Sequence, residues 1–124
     1  MKIQRPEQYF EQFSGEQKII LYVLHDFILH HEGVFCRIAY NIPMYYRNGW
    51  MCYLNVKKSG DIEFAFTNGV HLPNKNGLLQ TNGRKQVAGT FINDAMKINL
   101  DALEETMQEA IAFDNIKYKP RKRT

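Results

Sequence analysis

The chain has 124 residues, 44% of them apolar, with 16 Lys and Arg against 13 Asp and Glu, which suits one domain around one core and excludes a disordered or fibrous chain. Its longest apolar run, Ile19 to Leu24, falls far short of the ~18 to 20 residues that cross a bilayer, and the first residues hold no apolar signal region, so a cytoplasmic protein without a membrane partner is expected. Five positive charges, Lys117, Lys119, Arg121, Lys122 and Arg123, stand in the last eight residues; residues 1–116 then carry 11 positive and 13 negative charges, a net of −2, and the implied division is one domain over 1–116 with a frayed basic tail over 117–124.

In chain order, Pro6 to Phe13 predicts a short helix with proline in its first turn, and Ser14 with Gln17 forms a capping-box pattern opening a second helix to about His31. Ile20, Val23, Leu24, Phe27 and Ile28 recur at helical spacing, which makes this the central helix of the core. Gly33 stands where a left-handed C-cap is expected.

From Ile38 the period changes to two. Reading Arg47-Asn48-Gly49 as a three-residue hairpin loop with Gly49 left-handed sets Tyr46 opposite Trp50, Met44 opposite Cys52 and Ile42 opposite Leu54. The same geometry at Lys58-Ser59-Gly60 sets Val56 opposite Ile62, Leu54 opposite Phe64, Cys52 opposite Phe66 and Lys57 opposite Asp61. The result is a three-stranded antiparallel meander with a core face of Ile38, Tyr40, Ile42, Met44, Tyr46, Trp50, Cys52, Leu54, Val56, Ile62, Phe64 and Phe66. It also places Cys36 about 26 Å of extended strand from the partner of Cys52, which excludes a disulfide between them.

Residues 69 to 86 read as a long connection in which Leu72, Leu78 and Leu79 return to the core; Gln86 to Ile92 reads as a further strand, and Asn99 or Asp101 caps a last helix with Leu100, Leu103, Met107, Ala110 and Ile111 on one face. The class is α+β, a mainly antiparallel sheet with helices packed on one face.

The runs Tyr40-Asn41-Ile42-Pro43-Met44-Tyr45-Tyr46, Phe66-Thr67-Asn68-Gly69-Val70-His71-Leu72 and Gly83-Arg84-Lys85-Gln86-Val87, in this order before a final helix, make the chain resemble the YdhG-like family over about residues 14 to 114. The family is a domain of unknown function with no agreed catalytic residues. The resemblance implies a small cytosolic α+β domain, and some members are described as frataxin-like iron chaperones.

The G-x-S-x-G, P-loop, G-x-G-x-x-G and H-E-x-x-H patterns are all missing, so no catalytic residue is assigned and a non-enzymatic role is expected. Cys36 and Cys52 read as structural thiols, and His25, His30 and His31 as a polar helix end. Asp101, Glu105 and Glu109 form an i, i+4, i+8 row with Glu104 beside it; these carboxylates are the candidate metal ligands, with iron the cofactor that the resemblance implies, against the plainer reading of a solvated helix face. Tyr45, Met51 and Tyr53 fall on the predicted outer face of the sheet. With His71, Arg84 and Lys85, Tyr45 and Tyr53 compose a candidate ligand site, Arg84 being expected within reach of Tyr45 or His71. Three functions follow: a non-catalytic binding domain, handling iron if it follows the resemblance; a small-anion or nucleic-acid binding module using the aromatic and basic residues and the tail; or a homodimer joined through exposed aromatics.

Overall fold

The structure, a computed structural model, describes residues 2–120; of the tail, Arg121, Lys122 and Arg123 lie outside the described residues. A five-residue helix, α1 (Pro6–Phe10), leads into α2 (Gly15–Leu29), and five strands follow: β1 (Phe35–Ala39), β2 (Ile42–Tyr46), β3 (Trp50–Val56), β4 (Ile62–Phe66) and β5 (Ala88–Ile92). The last helix, α3, spans Leu100–Lys117. All five strands pair antiparallel with their sequence neighbours in the order β1-β2-β3-β4-β5, an α+β architecture with the helices packed on one face of an open meander. No helix among the described residues is long and apolar enough to cross a membrane.

Several local expectations are corrected. Helix α1 stops at Phe10, and Ser14 makes no side-chain cap; Gln17, its expected capping partner, instead donates to the Gly60 carbonyl at 2.9 Å and ties α2 to the β3–β4 turn. Gly33 does adopt a left-handed φ of 82°. The segment from Ile38 to Tyr46 is two strands rather than one, because Tyr40 (φ 54°) and Asn41 (φ 62°) make a tight left-handed turn with no glycine to announce it. Tyr40 is therefore 84% exposed instead of lying in the core. Asn99 caps α3 as expected, accepting from the Ala102 amide at 3.0 Å.

The β3–β4 register is the expected one, with Val56, Leu54 and Cys52 opposite Ile62, Phe64 and Phe66. Lys57 meets Asp61 through the backbone, while its ammonium turns to Glu63 at 3.7 Å. Between β2 and β3 the register breaks. Tyr46 stands opposite Trp50, but Tyr45 then pairs with Cys52 and Met44 with Tyr53, leaving Met51 as an extra residue in β3. The bulge turns Tyr45, Met51 and Cys52 into the helix-side core and sends Met44, Tyr46 and Trp50 to the other face. Gly49 is not left-handed; the Tyr118 ring occupies the position a Cβ would take there, 2.5 Å away, so any side chain at 49 would displace the end of α3.

That turn is held by one buried carboxylate. Asp114 of α3, 1% exposed, accepts from the amides of Asn48 (3.1 Å) and Gly49 (2.8 Å) and from Arg47 Nη1 (3.2 Å). On the core side, Tyr45 lies fully buried with its hydroxyl 2.8 Å from His25 Nδ1. Burial pushes His25 below its ordinary value near 6.5, so the ring is held neutral. Cys36 and Cys52 flank Tyr45 on neighbouring strands and are free thiols. The sheet, not the 26 Å of the sequence argument, keeps them apart: two strand spacings, about 9.6 Å, exceed the ~7 Å that a disulfide allows. Burial pushes the Cys36 thiol up to about 12 and Cys52 well above its usual range, so both are inert small groups of the core.

Asp114→Ala removes the acceptor of three donors and deprives the partly buried Arg47 of its ion-pair partner, so its unfolding free energy in urea falls by about 3 kcal/mol. His25 gives a second expectation. Its folded value lies below its unfolded one, so its contribution is present above about pH 6.5 and is lost as pH falls through the folded value. Stability should fall as pH drops below about 6.5, and His25→Gln should flatten that part of the acid limb.

Candidate functional site

The bulge and the strand alternation gather Phe35, Arg37, Met44, Tyr46, Trp50, Tyr53 and Glu63 on the sheet face that no helix covers. Phe35 and Tyr46, cross-strand partners, stack at 5.6 Å between ring centroids and 21° between planes. Trp50 continues the row, 6.5 Å from Tyr46, 6.0 Å from Tyr53 and 6.5 Å from Tyr40 on the hairpin tip. The exposed Arg37 guanidinium lies 5.6 Å from the Tyr46 centroid and 5.8 Å from that of Phe35, within cation–π range of both. Met44, at the centre, is 1% exposed with no helix above it, so these aromatic side chains roof it. The indole Nε1 of Trp50 is buried without a hydrogen-bond partner.

A buried ion pair closes the β4–β5 side of this face. Glu63, fully buried, holds Arg84 Nη2 at 2.6 Å through Oε2, while its Oε1 lies 3.7 Å from Lys57 Nζ and accepts no hydrogen bond. Gly89 makes room for the carboxylate, since a Cβ there would stand 2.7 Å from Oε2. The hydrogen bond that Arg84 donates to Glu63 raises the guanidinium further above its already high value, and burial raises the Tyr53 hydroxyl beside it. Arg84 is fixed at its other end by Nε donating to the Thr81 carbonyl at 2.9 Å.

The structure separates the residues that the sequence joined. Tyr53 and Arg84 share the helix-free face, whereas Tyr45 is turned inward by the bulge and Met51 goes with it. His71 sits on the helix side, its ring stacked on Phe113 of α3 at 5.8 Å and 4°. Arg84 therefore lies across the sheet from Tyr45 and reaches Glu63 and Tyr53, while Lys85 beside it is exposed. The carboxylates of α3 anchor the long connection: Glu109 accepts from the Asn74 amide at 2.8 Å and the Lys75 amide at 3.3 Å, and Glu105 from Asn76 Nδ2 at 2.9 Å. Glu104 pairs with His31 Nε2 at 2.9 Å, joining α2 to α3. With Asp101 they edge an open groove of about 750 Å³ beside His71 and Phe113, but among the described residues no three His, Cys, Asp or Glu side chains converge to hold a metal ion.

Phe35, Arg37, Tyr40, Tyr46 and Trp50 were not in the sequence-derived site. Their signal was present in the Tyr46–Trp50 pairing across the Arg47-Asn48-Gly49 turn, but the face was inverted, because a one-residue bulge exchanges the two sides of a strand. No protein-family model matches the chain, and no curated protein or solved structure is significantly similar to it.

Tyr40 carries a bulky side chain in the left-handed region at a cost of roughly 1–2 kcal/mol, while its stack on Trp50 returns about 0.5–1.5 kcal/mol. Tyr40→Asn relieves that backbone conformation, so thermal unfolding should be unchanged or slightly later, while the emission of Trp50 shifts to the red as its ring loses cover. A destabilisation above about 1.5 kcal/mol would make Tyr40 a packing residue instead.

Proposed function

We propose that the chain is a small non-catalytic binding domain and that its ligand lies on the helix-free face, with a planar ring stacked on Trp50 and Tyr46 and an anionic group at Arg37. One observation carries this: five aromatic rings and an exposed guanidinium form a continuous surface where a covering helix would otherwise sit. Tyr40 is exposed and the other four rings are half-buried, so the row is open to solvent along one side, and rings interleaved with a cation suit planar anions. Two of the three stretches that carry the YdhG-like resemblance border it, Tyr40 to Tyr46 as the hairpin and Gly83 to Val87 as the source of Arg84, which supports a binding role for such a domain. Iron handling gains no comparable support, since the α3 carboxylates are engaged with the long connection and with His31.

Trp50 is the sole tryptophan of the chain, so its fluorescence reports on this face alone. Titration with adenosine or thymidine 5′-monophosphate should quench it saturably, inorganic phosphate should not, and Arg37→Ala should weaken the quenching severalfold without altering the circular dichroism. Unchanged Trp50 emission with every mononucleotide would remove the proposal.

A further inference from the structure

We infer that the groove along α3 is a second binding site and that it takes a linear polyamine, an aliphatic chain carrying two or more ammonium groups. It shares no residue with the aromatic row, so the inference goes beyond the function proposed above. The groove holds about 750 Å³, a volume typical of small-molecule sites, and follows α3 from Asp101 to Ile116, about 22 Å of helix. Its charge is the first argument. Asp101, Glu104, Glu105 and Glu109 line it against Lys75 alone, a net of −3 with His71 neutral. Elsewhere Glu63, Asp114 and Glu11 are each met by Lys or Arg. Among the described residues none of the four groove carboxylates has such a partner: Glu109 and Glu105 accept from neutral donors of the long connection, Glu104 from Gln108 and His31, and Asp101 from no protein group. Those hydrogen bonds leave lone pairs free on each carboxylate and leave its charge unmatched by Lys or Arg.

The second argument is the chemistry of the remaining walls. Toward the C-terminal end of α3 they are apolar, with Ala112, Phe113 and Ile116 on the helix and Pro73 on the connection, and the His71 ring lies flat on Phe113. Ile116 is 86% exposed, an apolar side chain with nothing over it. Lys117 Nζ stands 5.7 Å from the Phe113 centroid, which closes that end to further positive charge and sets the ammonium groups toward Asp101 and Glu105. Donors are scarce in the groove, since Gln108 Nε2 is occupied by Glu104 at 2.6 Å. A peptide, even a basic one, brings a carbonyl with almost every amide and would turn those carbonyls toward carboxylates and apolar walls. A polyamine brings donors alone, joined by methylenes that suit Pro73, Phe113 and Ile116. Asp101, Glu105 and Glu109 repeat at about 6 Å along the helix, and ammonium groups set apart by three or four methylenes recur at a similar distance. A hydrated metal ion fits less well, because no three ligands converge among the described residues and the apolar wall would stay uncovered.

The test is calorimetric titration of the full chain at low salt with butylamine, butane-1,4-diamine and spermidine, and with magnesium chloride and trilysine as competitors of other classes. Affinity should rise severalfold at each step from the monoamine to the triamine and weaken with added salt. Asp101→Asn with Glu105→Gln, both exposed and the second keeping an oxygen for Asn76, should weaken spermidine binding severalfold with an unchanged circular dichroism spectrum. Ile116→Ser, which removes no charge, should weaken spermidine binding while leaving any magnesium binding as it was. Magnesium binding as tightly as spermidine, or an affinity indifferent to Ile116→Ser, would reduce the groove to an acidic surface and overturn the inference. Trilysine binding more tightly than spermidine would make a basic peptide the occupant and overturn it as well. None of these outcomes bears on mononucleotide quenching of Trp50, so the two sites stand or fall separately.

Discussion

A single extra residue in β3 determines what each side of the sheet does. With Met51 inserted, Tyr46 keeps its partner Trp50 while Tyr45 slides to Cys52, and β3 exchanges faces across that step. Without the bulge, alternation would carry Trp50, Cys52 and Leu54 to one side, placing the indole beneath the helices with the thiol and the leucine. With it, Cys52, Leu54 and Tyr45 enter the core and Trp50 joins Tyr53 outside. The bulge is held from both ends. Asp114 fixes the preceding turn through two amides and Arg47, and Thr67 donates to the Trp50 and Met51 carbonyls from the end of β4.

The buried charges follow the same division. Asp114 joins α3 to the sheet and Glu104 joins α3 to α2 through His31, so the carboxylates of the last helix that leave its surface serve packing between layers. Glu63 differs in facing away from every helix. A carboxylate buried on an otherwise aromatic surface costs several kcal/mol unless matched, and Arg84 with Lys57 supplies the match. The long connection from Gly69 to Val87 thereby acquires two functions. Its first half plugs Leu72 and Leu79 into the core and is tied to α3 by Glu109 and Glu105, and its second half, after Gln80 pairs with Gly89 at the sheet edge, delivers Arg84 to the outer face.

Much of the fold is legible in the sequence because it is written in patterns with a single solution. The spacing of Lys58, Ser59 and Gly60 admits one register, and the β3–β4 pairs follow it. Asn99 is the natural cap of α3, and the apolar row of Leu103, Met107 and Ala110 turns inward as its period requires. The misreadings share one cause, which is that left-handed turns and bulges leave no compulsory residue behind. Tyr40 and Asn41 turn the chain without glycine, and Gly49, which looks like a left-handed glycine, is small for the sake of Tyr118, 69 residues downstream. A long-range steric demand of that kind has no local signature. The site inherits the error: the faces of Tyr53 and Arg84 are legible, whereas Tyr45 is misplaced because the bulge lies between its pair with Cys52 and the turn.

The cost of the aromatic face bears on its purpose. A hairpin tip with two left-handed residues accepts Asn or Gly far more readily than Tyr, yet Tyr40 is held there and left 84% exposed. The Trp50 indole nitrogen is buried without an acceptor, a deficit of about 1–3 kcal/mol. Stability alone would favour Asn at 40 and an apolar ring without a donor at 50. Strain and unmet polarity tend to collect where a surface is shaped for something other than folding. Here both fall on the one face that lacks a helix, around the row that Arg37 flanks, and neither falls in the helix-side core, where Tyr45 finds His25 and Cys52 is fully buried near the half-buried Cys36.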